Sequence, residues 1–434
     1  MRNQHDMISK DELKETLEAL LNEQPMHDSQ AKHSQSYLYS NVEDKVTSEQ
    51  DLSDQINGTE IEDVYIHVPF CAHECVFCSY DKIEGPNRSQ VESYLEQVVK
   101  EIKDAKKKYK FNNLRTVHIG GGTPNFLNEK QLELLLKTIK EELPINNPSF
   151  EQYDIELKPV NLSDEKIELM KRYGVDRVSG GVQTFDDEVN RLNNRLGQTE
   201  EKTVEAIKRL KQNFDNVSVD LLASYEGHSL ELLMRDCQKL LDLDVDSVFL
   251  YQVRQELEKG NVEDINTLNA FLNYFSENGY EILSQNQVVK KRNSIGYCEQ
   301  REHRSQLSNL LGIGPSSVSE VSGFTFKNKN AVEYIQDSDL KLDESSIKKK
   351  TERNSKALYV IRNLRYFKSP DFDGFLVKEY SDKFGSSVFD NFGHEMEFME
   401  QQGLVKTSKE KVELTNKGRL FTQWMDNYLT RHYK

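Results

Sequence analysis

Three cysteines lie close together in the run Tyr65-Ile-His-Val-Pro-Phe-Cys71-Ala-His-Glu-Cys75-Val-Phe-Cys78, separated by three residues and then by two. Their thiolates could wrap one cubane iron–sulfur cluster, although such clusters usually take four cysteine ligands. With three protein ligands, one iron keeps an open position at which a substrate or cofactor can bind directly. The spacing therefore indicates a cluster that takes part in chemistry as well as carrying electrons.

A zinc site is the alternative for this spacing. Structural zinc takes four ligands, and His67 or His73 could supply the fourth beside the three thiolates. The chain has five cysteines, an odd number of which three are clustered. That pattern argues against a disulfide framework and favours metal ligation in a reducing compartment.

Composition limits the class of protein and of partner. The chain has 434 residues, of which 36% are hydrophobic and 30% charged, enough for a large core and two domains. No apolar run reaches the roughly 18–20 residues of a membrane helix, and the N-terminus lacks a signal-peptide pattern. We therefore expect a cytoplasmic protein that binds no membrane. The net charge of −16 argues against nucleic acid as a partner, because phosphate binding uses clustered Lys and Arg.

Short apolar segments rich in β-branched residues alternate with helical patterns from residue 61 onwards. The predicted strands cover residues 64–68, 116–120, 153–157, 177–182, 217–222 and 247–253. The predicted helices cover residues 91–108, 129–142, 164–173, 186–194, 200–214 and 230–241. Successive strand–helix units predict a parallel sheet with helices outside, either open or closed into a barrel. In both arrangements the active site is expected at the carboxyl ends of the strands.

We expect four regions along the chain. Residues 1–60 are predicted to be an acidic, flexible extension with a short amphipathic helix at 8–21, and residues 61–335 to be the core domain. Residues 336–354 are charged and predicted to be a connection. Residues 355–434 are predicted to form a C-terminal domain that ends in a winged-helix-like hairpin. Because the chain is acidic, a lid or docking domain is favoured over a DNA-binding one.

A glycine turn, Gly120-Gly-Gly-Thr-Pro124, directly follows the second predicted strand. Glycine lets the backbone approach a ligand closely and present its N–H and C=O groups. No Gly-Lys-Ser/Thr follows, so the turn is not a phosphate loop. Together with the cysteine run, it resembles the element of radical S-adenosylmethionine (radical SAM) enzymes that receives the amino group of SAM.

The chain resembles the oxygen-independent coproporphyrinogen III oxidase family, which includes a haem-chaperone branch and a radical methyltransferase branch. Matching segments occur in consistent order from residue 61 to the end. Besides the cysteine run and the glycine turn they are Ile155-Glu156, Gly174-Val-Asp-Arg177-Val-Ser-Gly-Gly-Val-Gln183, Asn194-Arg195, Val219-Asp220-Leu221, Leu250-Tyr251-Gln252 and Leu311-Gly-Ile-Gly314-Pro315. The resemblance implies an α/β fold: a partial (β/α)6 TIM-type barrel, the radical SAM core, followed by a small α+β winged-helix-like domain.

The resemblance also implies roles for individual residues. Cys71, Cys75 and Cys78 would hold a 4Fe-4S cluster whose open iron is chelated by the amino and carboxylate groups of SAM. The pocket would be lined by Tyr65 and Phe77 at the adenosine, Gly121, Gly122 and Thr123 at the methionyl ammonium, Glu156 at the ammonium or ribose, Gln183 at the ribose, Arg195 at the carboxylate, and Asp220 closing it. Arginine suits a carboxylate because its fork donates two hydrogen bonds. Leu222 stands where the family touches a second SAM, so one or two SAM molecules are expected.

The implied reaction begins with an electron from the reduced cluster, which cleaves SAM into methionine and a 5′-deoxyadenosyl radical. The radical then takes a hydrogen atom from a small-molecule substrate, and a second SAM would permit methyl or methylene transfer. We expect flavodoxin or ferredoxin as electron donor and a monomeric protein. Two alternatives stay open: tetrapyrrole chemistry, either coproporphyrinogen decarboxylation or haem opening, and non-catalytic haem delivery.

Three segments depart from the family pattern in the region expected to bind substrate. Cys78 is followed by Ser79-Tyr80-Asp81 instead of a further cysteine, and Ala223-Ser-Tyr225-Glu-Gly227 replaces Gly-Leu-Pro. Residues 297–305 lack the His-Asn and Tyr-Trp pairs of the haem-chaperone branch. We therefore expect a substrate that is not a porphyrin. Cys298 in this segment is interpreted as an inert thiol, with hydrogen-atom relay as the alternative.

Overall fold

The computed structural model describes residues 8–23, 48–252, 261–290, 307–336, 342–365 and 373–430. The predictions made for Cys298 and for residues 297–305 lie outside these ranges. Across the described ranges, none of the helices combines the length and the apolar character that a membrane crossing requires.

The helices and strands are numbered separately in chain order. The helices are α1 (Lys10–Glu23), α2 (Glu49–Ile56), α3 (Arg88–Lys108), α4 (Glu129–Glu142), α5 (Asp164–Tyr173), α6 (Asp187–Leu192), α7 (Glu200–Asn213), α8 (Leu230–Asp242), α9 (Val262–Glu277), α10 (Ala331–Gln336), α11 (Glu352–Arg365), α12 (Val377–Phe384), α13 (Val388–Gln401), α14 (Asn416–Leu420) and α15 (Thr422–Thr430). The strands are β1 (Asp63–Val68), β2 (Phe70–Cys71), β3 (Ile83–Glu84), β4 (Thr116–Gly121), β5 (Gln152–Leu157), β6 (Arg177–Gln183), β7 (Asn216–Ala223), β8 (Ser247–Gln252), β9 (Glu281–Ser284), β10 (Gln287–Val289), β11 (Leu310–Ile313), β12 (Val318–Val321), β13 (Phe324–Asn328), β14 (Leu342–Lys349), β15 (Gly374–Leu376), β16 (Val405–Thr407) and β17 (Lys411–Leu414).

Parallel strands form the centre of the main sheet, in the order β1-β4-β5-β6-β7-β8. Each matches one of the predicted strands with small differences at its ends. Most residues of these strands are buried, as is typical of parallel strands that are covered on both faces. β9 and β14 stand at opposite ends of the strand order, so the described strands do not close into a ring. The prediction of an α/β partial barrel is confirmed.

Both edges of the sheet are longer than the sequence predicts. β11 pairs in parallel with β1, and β12, β13 and β14 continue antiparallel beyond it. At the other edge, β10 pairs antiparallel with β8, and β9 pairs antiparallel with β10. β11 escaped prediction because it is four residues long, contains a glycine, and is followed by a hairpin where a helix would have marked it.

Two packed helices lie in the region that we expected to be a flexible extension. α1 corresponds to the predicted amphipathic helix, and its Leu13 and Leu20 are fully buried. The indole N–H of Trp424, in α15, donates a hydrogen bond to the carbonyl of Leu20 at 3.2 Å. α2 packs against β14, which itself occupies part of the charged connection expected at 336–354.

The C-terminal part is a small α+β unit joined to the core by a buried ion pair. β15, β17 and β16 form an antiparallel sheet next to α12 and α13, which is the winged-helix-like arrangement that we predicted. Glu320 on β12 accepts two hydrogen bonds from the Arg362 guanidinium of α11, at 2.7 and 2.8 Å. Lys350 also contacts Glu320, at 2.9 Å. Both side chains of the bidentate pair are buried, so each needs the other to offset its desolvation.

The glycine turn after β4 brings two strand ends together. Gly121 has a φ of +112°, in the region that favours glycine. A Cβ built on Gly122 would lie 2.8 Å from the carbonyl oxygen and 2.9 Å from the amide nitrogen of Phe70. Those are backbone atoms of β2, the strand that ends in Cys71, and they cannot rotate away. The lack of side chains in this turn therefore allows it to lie directly against the cysteine strand.

We predict that Gly122→Ala destabilises the protein by about 1–3 kcal/mol, the usual cost of overpacking. The added methyl group must push the Phe70 backbone away from the turn. Chemical denaturation of the full chain measures the change in the free energy of unfolding. Gly393→Ala is the matched control, because that glycine lies within α13 and an added Cβ would meet no atom within 4 Å. Equal effects of the two substitutions would contradict the close approach.

Candidate active site

The cysteine loop follows β1 and is closed by backbone hydrogen bonds. Cys71 ends β2, which pairs in parallel with β3. Gly85 N donates to the carbonyl of Cys71 at 2.9 Å, and Cys78 N donates to that of Cys75 at 3.0 Å. The thiols of Cys71, Cys75 and Cys78 are free and partly exposed. The loop therefore presents all three sulfur atoms from one short, tied segment.

A cubane cluster and a single metal ion place different demands on the three thiols. Among the described side chains, no group of three or more His, Cys, Asp or Glu is arranged to hold a single ion. In a cubane, by contrast, each thiolate binds a different iron. Burial raises the pKa of the Cys71 thiol, so a positively charged metal centre would be needed to keep it ionised.

His67, which we considered as a fourth zinc ligand, has both ring nitrogens engaged. Its Nε2 lies 3.0 Å from the carbonyl oxygen of Asp81, and its Nδ1 lies 2.9 Å from the hydroxyl of Tyr65. Because a carbonyl can only accept, Nε2 carries the proton and Nδ1 accepts from the tyrosine. In this arrangement neither nitrogen has a lone pair free for a metal.

Two of the residues expected around SAM contact the thiols. Thr123 Oγ1 lies 3.5 Å from Cys71 Sγ, and Arg195 Nη1 lies 3.6 Å from Cys75 Sγ. The Arg195 side chain is fixed, since its Nε donates to Gln198 Oε1 at 2.9 Å and its Nη2 donates to the carbonyl of Gly181. Its remaining nitrogen is thus directed toward the cysteine loop.

The turn before Arg195 is hydrogen-bonded to the cysteine loop. This contact was not predicted from the sequence. Asn194 has a φ of +54°, and its side-chain amide donates to the carbonyl of Glu74 at 2.7 Å. Val76 N donates to the carbonyl of Asn193 at 3.3 Å. Asparagine is among the few residues that tolerate this backbone conformation. The sequence signal for this contact was the asparagine that directly precedes Arg195, because asparagine tolerates a positive φ.

Gln183 ends β6 in a strained conformation. Its φ is +67°, and the pairing of β6 with β7 shifts register between Gly181 and Gln183. A Cβ on Gly181 would lie 3.2 Å from Gln183 Nε2 and 3.4 Å from Arg195 Nη2. The two side chains therefore meet over Gly181. Left-handed backbone at a residue other than glycine is typical of functional sites.

Glu156 belongs to a row of charged side chains beneath the glycine turn. Its Oε2 accepts from Gly121 N at 3.3 Å, and its Oε1 lies 3.3 Å from His118 Nε2. His118 Nδ1 contacts Asp154, which also accepts from Arg177 Nη1 at 2.5 Å. Sequence reasoning assigned no role to His118 or Asp154. The available signal was a charged residue at each position within otherwise apolar strands.

The pKa values in this row reflect mutual stabilisation of opposite charges. Burial would lower the pKa of His118, but Asp154 and Glu156 raise it well above its ordinary value. Burial would raise the pKa of both carboxyls, but His118 lowers the pKa of each, and Arg177 adds to this at Asp154. His118 is therefore an imidazolium between two carboxylates at neutral pH.

The other predicted site residues have different neighbours. Tyr65 stacks on His118, with ring centroids 5.5 Å apart and an interplanar angle of 20°. Asp220 Oδ1 accepts from Ser179 Oγ at 3.5 Å. Leu222 is 7% exposed and pairs across strands with Tyr251.

An aromatic group lies beside the cysteine loop. Phe77 packs edge-on against Tyr225, with centroids 5.7 Å apart, and Tyr225 stacks on His228 at 5.0 Å. His228 was not singled out from the sequence. Burial lowers its pKa to about 4, and its Nε2 is buried without a hydrogen-bond partner among the described residues. The ring is therefore neutral at pH 7.

Comparison with known proteins agrees with this geometry. Residues 65–240 match the family model of the radical SAM superfamily. The heme chaperone HemW of Lactococcus lactis is 27% identical and covers 82% of this chain and 93% of its own length. The oxygen-independent coproporphyrinogen III oxidase of Synechocystis is 25% identical over 82% of each chain.

A solved structure shares the fold. Coproporphyrinogen III oxidase of Escherichia coli, a radical SAM enzyme, superposes with a TM-score of 0.74 over 91% of this chain and 96% of its own. At 19% identity this likeness concerns the fold alone. The cysteine loop, the glycine turn, the matched family model and the relatives agree with one another. Residues 65–240 therefore match a radical SAM domain, and the chain is similar over most of its length to the haem chaperones and the oxygen-independent coproporphyrinogen III oxidases.

Proposed function

We propose that the protein cleaves SAM reductively at a 4Fe-4S cluster and uses the resulting radical to take hydrogen from a small molecule that is not a porphyrin. The observation that carries this proposal is the cysteine loop, on which three free thiols lie together with Thr123 and Arg195 beside two of them. When bound, such a cluster supplies the electron that breaks the carbon–sulfur bond of SAM, which releases methionine and a 5′-deoxyadenosyl radical.

The charged groups of the site match the charges of SAM. The Arg195 guanidinium, fixed next to Cys75, would bind the methionyl carboxylate close to the cluster. Glu156, which lies against Gly121 N, would bind the ammonium. Charges that are fixed in orientation in this way bind more strongly than the same groups in water, because little reorganisation is needed. Gln183, held over Gly181, is placed to donate to or accept from the ribose.

The substrate region supports a molecule other than a porphyrin. Tyr80 stands where the oxidase branch has its further cysteine, and its side chain is 64% exposed. Tyr225 belongs to the segment that replaces Gly-Leu-Pro of the family, and its ring packs against Phe77 just after β7. Leu222 exposes only 7% of its surface, which favours one SAM molecule over two. Reduction of the cluster needs an external donor, for which we propose flavodoxin or ferredoxin.

Haem binding is the second candidate. It is favoured by the similarity to haem chaperones, which extends over most of the chain. His228, a neutral imidazole whose Nε2 has no hydrogen-bond partner in the described part of the chain, has the chemistry of an axial haem ligand. Its burial next to Tyr225 would have to change before haem could reach it.

We predict that Cys75→Ala abolishes both the iron–sulfur absorbance and the formation of 5′-deoxyadenosine. Removing one of three protein ligands leaves two irons of the cubane without protein thiolates. Anaerobic reconstitution, iron and sulfide analysis, and product chromatography measure the effect. Cys237→Ala is the control, because Cys237 is a fully buried cysteine on α8, away from the loop. A Cys75→Ala protein with a normal cluster would refute the ligand assignment.

We predict that Arg195→Lys keeps the cluster but weakens SAM binding about tenfold, because a flexible ammonium cannot replace a planar guanidinium whose Nε and Nη2 are held by Gln198 and Gly181 while Nη1 faces the site. Equilibrium binding of SAM to the reconstituted protein provides the measurement. An unchanged affinity would show that Arg195 serves only to hold Gly181 and the cysteine loop.

The two candidate functions differ in their products. Under the enzymatic proposal, reduced protein releases 5′-deoxyadenosine from SAM, and titration with haem gives no stoichiometric Soret band. Stoichiometric haem binding without release of 5′-deoxyadenosine would favour haem delivery instead. His228→Asn separates direct ligation from non-specific binding, because it removes the imidazole that would ligate the iron.

A further inference from the structure

A row of alternating charges crosses three neighbouring strands below the glycine turn. β4 and β5 pair so that His118 lies directly opposite Asp154. Asp154 and Glu156 are two residues apart on β5 and therefore lie on the same face. The imidazole of His118 sits between their carboxylates, and Arg177 on β6 contacts the far side of Asp154.

Exposure rises along this row. The side chains of Arg177 and Asp154 are each 3% exposed, that of His118 is 15% exposed, and that of Glu156 is 42% exposed. The row contains two positive and two negative groups, so its charges balance only when the more exposed Glu156 is included. Its open end is the carboxylate of Glu156, which is the group that a cationic ligand would meet.

Two contacts fix both oxygens of Glu156. His118 holds Oε1, and Gly121 N holds Oε2. A Cβ on Gly120 would lie 2.7 Å from Oε2, so the carboxylate occupies the space that the missing side chain leaves. Without the imidazolium, the backbone amide would be the remaining fixed contact, and the carboxylate could rotate about its last torsion.

His118 also supports Tyr65, the other residue expected on this side of the nucleotide. The two rings stack, and the hydroxyl of Tyr65 donates to His67. The groups that face the His118 ring are thus Asp154 and Glu156 from β5 and Tyr65 from β1. The His118 imidazole therefore contacts two of the residues predicted to bind SAM, Glu156 and Tyr65.

We propose that His118 is a positioning residue for SAM, which clamps Glu156 in the orientation that receives the methionyl ammonium. This inference rests on the proposed function. An imidazolium suits the task because it donates from both nitrogens, one to each carboxylate, in a rigid plane. A lysine would carry the charge without fixing that geometry.

The test compares SAM affinity in the reconstituted full-length protein and its variants. We expect His118→Asn to weaken SAM binding about tenfold, within the usual range for loss of a charge-assisted contact, while iron and sulfide content stay unchanged. His118→Gln, whose longer amide can still donate to Glu156, should lose less. His394→Asn is the matched control, because His394 is exposed on α13 in the C-terminal part.

A double-mutant cycle separates positioning from a general structural role. If His118 acts through Glu156, the double variant His118→Asn with Glu156→Gln should bind SAM no more weakly than Glu156→Gln alone. Additive losses would overturn the proposal, as would an unchanged affinity in His118→Asn. The midpoint of unfolding, measured for each variant, shows whether a loss of binding follows a loss of folded protein.

The failure of this proposal is distinct from that of the proposed function. If the unsubstituted, reconstituted protein binds no SAM, the proposed function fails and the role of His118 fails with it. If the unsubstituted protein binds SAM and releases 5′-deoxyadenosine while the His118 variants bind equally well, the role of His118 fails alone.

Discussion

The approach of the glycine turn to the backbone of Phe70 is the constraint on which the rest of the site depends. That contact places the end of β4 against the strand that carries Cys71, and it brings Thr123 within reach of the sulfur. It also leaves an opening at Gly120 that the carboxylate of Glu156 fills. The cysteine loop and the strand that ends in the glycine turn are therefore joined by a direct backbone contact at Gly122.

The cysteine loop is held on several sides by polar contacts from distant parts of the chain. Asn193 and Asn194 bind its backbone on one side. On the other side, the carboxylate of Asp81 accepts from Ser316 Oγ at 2.5 Å and from Ala331 N at 2.7 Å. The carbonyl of Asp81 binds His67 in β1. A loop restrained in this way can keep its ligands in place when the charge of a bound cluster changes, since the restraints do not involve the thiols.

Much of the fold could be predicted from the sequence, because strand–helix alternation leaves a strong periodic signal. All of the central strands, the glycine turn and the winged-helix-like end were predicted. β11 and the antiparallel edges were not, because short strands in hairpins carry little periodicity. The helices α1 and α2 were placed in a flexible extension, since the polar stretch between them dominates the composition and their burial partners lie hundreds of residues away.

The site could be predicted only as far as residue type reveals chemistry. The three cysteines are recognisable from their spacing alone, whereas the roles expected of Glu156 and Arg195 came from the family resemblance. The supporting contacts of His118, Asp154 and Asn194 depend on strand register and backbone conformation, which single residues do not disclose.

The packing of α1 has a consequence for how the chain matures. Leu20 is buried and contacts Trp424, which lies in α15. Among the helices of the described residues, α15 is the last to be synthesised. Contacts of such large separation in sequence form late and slowly. During synthesis, the part of α1 that packs against α15 is therefore covered only after the C-terminal helix has been made, and this apolar surface is prone to aggregation until then.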